Sequence, residues 1–84
     1  MDSKKLLKRI LTNTNNIKFQ DFISLVSGFG FELDRINGSH HIYKKAGVEE
    51  LINLQNVKGE IKPYQVKQFL TIIEKYNLQI GEEK

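Results

Sequence analysis

The sequence predicts an α+β fold in the order helix, helix, strand, strand, strand, helix. Three observations carry that expectation. Apolar residues recur at helical spacing in residues 18–28 and again in residues 62–76. Between them, short segments within residues 31–55 alternate apolar and polar with a period of two. The dipeptide Asn37-Gly38 separates two of these segments and is among the strongest short signals for a β-hairpin.

Residues 3–11 read as a short amphipathic helix, with Ser3 as its N-cap and Leu6, Leu7, Ile10 and Leu11 on one face. Lys4, Lys5, Lys8 and Arg9 occupy the other positions. An isolated helix of this length is marginal in water, so it must dock, either on its own domain or on a partner or RNA. The polar run 12–16, Thr-Asn-Thr-Asn-Asn, reads as a linker. In residues 18–28, Phe19, Phe22, Ile23 and Val26 follow the i, i+3, i+4, i+7 template, and Gly28-Phe29-Gly30 ends the helix.

The first strand is expected at Phe31–Arg35, the second at His40–Lys45 after the Asn37-Gly38 turn, and the third at Leu51–Gln55 after a longer connection around Ala46-Gly47-Val48. Lys62-Pro63 opens the last helix, because proline has no amide hydrogen to lose in a first turn. Its stripe is Val66, Phe69, Leu70, Ile73 and Tyr76, ending near Asn77. The charged tail 81–84 is expected to fray. Helices on one sheet face leave the other face, or a sheet edge, for function.

Composition narrows the function classes. Eighty-four residues make one domain, and six glycines bring an apolar content of 39% to about 46%, ordinary for a globular protein. The absence of cysteine removes disulfides, thiolate zinc sites and cysteine nucleophiles together, and it favours a cytoplasmic home. No apolar run approaches the ~20 residues of a membrane span, so no membrane role is expected. The net charge is only +3, but it is unevenly spread. Lys4 to Lys18 holds five positive residues and no negative one. Arg35, Lys44, Lys45, Lys58, Lys62 and Lys67 outnumber Glu49, Glu50 and Glu60 two to one across the hairpin and the start of the last helix. A proline-headed helix start also presents backbone N–H groups to an anion.

His40 and His41 are the only histidines. Neighbouring strand residues point to opposite faces, so the pair cannot converge on one metal ion, and no ligand spacing points to a metal site. What remains for a histidine is proton transfer near neutral pH, or a merely structural place on a hairpin.

The run Asn37-Gly38-Ser39-His40-His41-Ile42-Tyr43, preceded by Gly30-Phe31 and Arg35, resembles the core signature of the HicA family. Lys62-Pro63-Tyr64-Gln65-Val66-Lys67-Gln68-Phe69-Leu70 resembles that family's lysine-proline helix start. The resemblance spans about residues 17–77 and divides the chain into an N-terminal helix and linker, 1–16, and a toxin domain, 17–84. It implies a small α-β-β-β-α fold like a double-stranded-RNA-binding domain: a three-stranded antiparallel sheet with helices on one face, here with an added N-terminal amphipathic helix. It also implies the toxin of a type II toxin–antitoxin pair: an mRNA endoribonuclease that needs neither metal nor cofactor and is neutralised by a HicB-like antitoxin. The family's essential histidine corresponds to His40. The position after that histidine varies more in the family, so His41 is the weaker candidate. The helix at 3–11 and the long approach Val57–Ile61 depart from compact members.

A metal-free ribonuclease of this kind uses the ribose 2′-hydroxyl as nucleophile, with a base, an acid and cations around the phosphate. His40 is the candidate base or acid. Arg35, Lys44, Lys62 and Lys67 are the candidates for RNA phosphate. Tyr43 is an accessory candidate for stacking a base, with sheet packing as its other reading, and Ser39 is a further accessory candidate whose other reading is a turn residue. A single histidine predicts slow turnover. Two other readings remain: a non-catalytic double-stranded-RNA-binding module, and a protein-interaction domain. The free toxin is expected to be a monomer, because the domain can close its own core.

Overall fold

The computed structural model describes residues 3–81. Helix α1 spans Ser3–Thr12. Ser3 is its first helical residue rather than its cap. Leu6 and Ile10 are buried in the same core as the rest of the chain, so the helix docks on its own domain. Burying two such side chains contributes roughly 1.5–3 kcal/mol each, which is what holds a ten-residue helix that would otherwise melt. The expected linker is a tied turn. The Asn13 side chain accepts the Asn15 N–H, Arg9 donates to the Asn16 carbonyl, and Asn16 takes positive φ.

A two-residue strand β1, Ile17–Lys18, follows, and it leads directly into α2, Phe19–Gly28. The helix therefore starts one residue later than its apolar spacing suggests, because Lys18 is extended and pairs across to another strand. Gly30, at φ 92°, makes the reversal into the sheet.

The main sheet has the order β2-β3-β4, antiparallel throughout, with β2 at Glu32–Asn37, β3 at His40–Lys45 and β4 at Val48–Gln55. Two turns differ from expectation. The first loop is Gly38-Ser39 rather than Asn37-Gly38, since Asn37 pairs with His40; Gly38 takes φ 64° at the first loop position, the choice that matches strand twist. The second is a tight Ala46-Gly47 turn, with Gly47 at φ 88°, and not a longer connection. It lets β4 begin three residues earlier than the apolar pattern shows.

The approach 57–61 forms its own small hairpin through Lys58 and Gly59, both at positive φ, and its second arm is β5, Glu60–Ile61. Strand β5 pairs with β1 to make a second, two-stranded sheet that the sequence does not announce. Helix α3 runs Pro63–Tyr76, entered through extended Lys62 and closed by Asn77 in the left-handed conformation. After it the chain returns to α2, where the Gly81 N–H donates to the Gly28 carbonyl. Of the tail 81–84 expected to fray, Gly81 is tied down by that bond, and residues 82–84 lie outside the described residues.

The helices cover one sheet face. Phe69 of α3 is the hub, with the rings of Phe22, Phe29 and Phe31 set edge-on to it at centroid distances of 5.3, 5.5 and 5.8 Å. Tyr43, Ile52 and Leu54 meet them from the sheet. Strand β2 is exposed along its whole length, including Leu33 and Ile36, so it extends past the edge of the helical layer.

Candidate nucleic-acid interface

The site is built on β3, the central strand. His41 is opposite Ile36 and Leu54, and its ring lies 4.9 Å from that of Phe19 at the start of α2. It therefore faces the helical layer. Its Nδ1 is buried without a hydrogen-bond partner among the described residues. His40 points the other way, onto the uncovered face, as strand alternation requires. Residues opposite one another share a face, so Asn37 and Gln55 flank His40, and Arg35 and Asn53 flank Ile42 on that same face. The diagonal from His40 to Asn53 is closed by a hydrogen bond of 3.0 Å between His40 Nδ1 and Asn53 Oδ1.

The cations on this face are not bare. Asp34 sits at a β-bulge in β2, where the register skips between Leu33 and Arg35. It hydrogen-bonds the Arg35 guanidinium and lies 3.3 Å from the Lys44 ammonium. Lys44, and then Arg35, hold the Asp34 carboxyl below its ordinary range. All three groups are solvent-exposed at least in part, so the cluster orients the cations more than it stabilises the fold. Arg35 has five N–H donors, and one carboxylate leaves some of them available to a second anion.

Gln65, near the start of α3, is buried, a polar residue among apolar ones. Its Oε1 accepts the Gln55 N–H at 3.0 Å, while the Gln55 side chain donates to Ser39 Oγ at 3.4 Å. Because Gln55 is opposite His40, these bonds fasten the first turn of α3 to the His40 end of the sheet. Lys62 and exposed Tyr64 therefore belong to the same end of the molecule as His40. Lys67 is exposed one turn further along the helix. Ser39 is the turn residue it was expected to be. Tyr43 is a correction: its ring is in the core, where burial raises its hydroxyl pKa and leaves no open face for a base.

Among the described residues, no group of three or more His, Asp or Glu is placed to hold a metal ion, and no helix is long and apolar enough to cross a membrane. A wide apolar cleft lies on the helical side, between Leu7 and Leu11 of α1, Leu70 and Ile73 of α3, and Leu78 and Ile80; among the described residues, Glu74 is the one titratable group in its wall. Sequence reasoning missed Asp34, Asn53 and Gln65. The period of β4 does set Asn53 on its polar side, but only the register of β3 against β4 brings it to His40.

A family model described as HicA toxin of bacterial toxin-antitoxin matches residues 19–74, two thirds of the chain. It covers α2, the three-stranded sheet and most of α3, and it begins after α1. No curated protein and no solved structure matches the chain.

Proposed function

The chain belongs to the HicA toxin family of toxin–antitoxin systems, and we propose that it acts as a metal-independent endoribonuclease on mRNA, with His40 as its acid–base group. The observation that carries this reading is the position of His40 on the uncovered sheet face, beside Arg35 and at the end where α3 begins. His40 Nε2 takes the proton of a ribose 2′-hydroxyl. The oxygen attacks the adjacent phosphorus, the bond to the 5′-oxygen breaks, and water supplies the proton that the leaving oxygen needs. A single positioned base contributes roughly 10²–10⁴-fold, which makes a slow enzyme.

Arg35, Lys44, Lys62 and Lys67 hold the phosphates, with Asp34 exchanging part of its hold on the first two for the RNA backbone. A HicB-like antitoxin neutralises the toxin by covering the His40 face, and both work in the cytoplasm. The test compares wild type and His40→Ala for growth arrest and for cleavage of purified RNA in the presence of chelator. The expected result is cleavage by wild type with chelator present and a fall of at least about 10²-fold in the variant. Cleavage by the folded variant at the wild-type rate overturns the assignment. Salt-sensitive binding of duplex RNA without cleavage by either protein marks a binding module instead.

A further inference from the structure

We propose that Asn53 is a positioning residue for His40: its Oδ1 accepts the proton of His40 Nδ1 and so keeps Nε2 unprotonated and directed away from the sheet. The inference rests on His40 being the acid–base group, and it names what orients that group.

A neutral imidazole carries one proton on either of two nitrogens, and the nitrogen that holds it is set by the partner of the other. Among the described residues, His40 has a hydrogen-bond partner at Nδ1 alone, Asn53 Oδ1 at 3.0 Å. An amide oxygen cannot donate, so the ring must supply the hydrogen, and the base capacity moves to Nε2. The contact is prepared by the backbone. Pairing of His40 with Gln55 and of Ile42 with Asn53 sets both side chains on one face at a fixed diagonal. The Asn56 N–H donates to the Ser39 carbonyl at 3.1 Å and the Gln55 side chain donates to Ser39 Oγ at 3.4 Å, which holds the adjoining ends of β3 and β4 together. Asn53 itself is exposed and is not a member of the buried core, so the packing of the core does not depend on an amide at this position. An orienting partner of this kind also restricts ring rotation, which a hydroxyl nucleophile needs if its proton is to meet Nε2 in line.

The experiment reads the tautomer directly, by long-range proton–nitrogen correlation on ¹⁵N-labelled full-length protein at a pH where His40 is neutral. Wild type is expected to show Nδ1 protonated and Nε2 bare. Asn53→Leu, which has no acceptor, shifts the proton toward Nε2, whereas Asn53→Asp, which keeps an oxygen there, retains the wild-type tautomer. In RNA cleavage, Asn53→Leu lowers kcat by at least about tenfold, the lower range for loss of a group that orients an imidazole, with KM little changed; Asn53→Asp recovers most of it. A wild-type ring protonated on Nε2 overturns the proposal, because the amide would then be donating. So does a tautomer in Asn53→Leu that matches wild type, or a shifted tautomer with unchanged kcat. If wild type cuts no RNA, the ribonuclease reading fails, and the tautomer comparison alone then decides whether Asn53 orients the ring.

Discussion

His40 and His41 are adjacent in the chain and occupy opposite environments. On the uncovered side of β3, His40 has a polar partner across the sheet and shares its face with Arg35. On the covered side, His41 packs against Phe19 and keeps a buried nitrogen with no partner among the described residues. The same residue type is tuned by a hydrogen bond on one face and tolerated as packing on the other. This contrast teaches that the sheet separates two tasks. The inner face packs into the core, and the outer face carries polar groups that stay outside it.

The largest expected effect tests the inner face. Phe69→Ala removes the ring against which Phe22, Phe29 and Phe31 pack, and it is expected to cost about 3–5 kcal/mol in chemical denaturation. His40→Ala should leave the same denaturation midpoint nearly unmoved. If the two substitutions destabilise alike, the separation of faces is wrong.

A smaller effect sharpens the comparison at the second histidine. His41→Leu keeps an apolar contact with Phe19 and removes the unpartnered Nδ1. A gain of about 1 kcal/mol in stability is expected, the lower range for relieving one unsatisfied buried polar group, with RNA cleavage intact. Loss of cleavage in a stable His41→Leu protein would move chemistry to the covered face.

The smallest effect lies at the rim of the covered face, where Glu50 of β4 accepts hydrogen bonds from Lys75 and Tyr76 of α3. The Lys75 ammonium, then the Tyr76 hydroxyl, lowers the Glu50 pKa from 4.5 to about 2. Glu50 in turn raises that of Lys75. Since the folded value lies below the unfolded one, the stabilisation is complete above pH 4.5 and fades as the pH falls toward 2. Both side chains are in large part open to solvent, so the gain is small and screened by salt. Glu50→Gln should lower Tm slightly at neutral pH and reduce the loss of Tm between pH 5 and pH 2. An unchanged acid profile would show that the contact carries no stability.

Several elements were legible because their signals are local. The 3.6-residue spacing of Phe19, Phe22 and Val26, and of Val66, Phe69 and Ile73, is a property of one helix and needs no partner to be read. The opposite directions of His40 and His41 follow from strand geometry alone. The hairpin glycine was also legible, although its loop closes one residue later than the dipeptide rule places it.

Tertiary structure alone decided the rest. Strand β1 is two residues long and has no period to detect; it exists because Ile17 meets Ile61 across more than forty residues. The Asp34 bulge ties down Arg35 and Lys44, which a charge count treats as independent cations. Gln65 reads as a polar interruption of a helix stripe until the unpaired Gln55 N–H is found beside it. The partner of His40 was equally hidden, because it depends on which residue of β4 stands opposite Ile42. Sequence determined the periods of the elements and thereby the face each residue takes, since backbone geometry is the same wherever the chain goes. Which groups meet across those faces was decided only by register and packing, which are set by the whole chain at once.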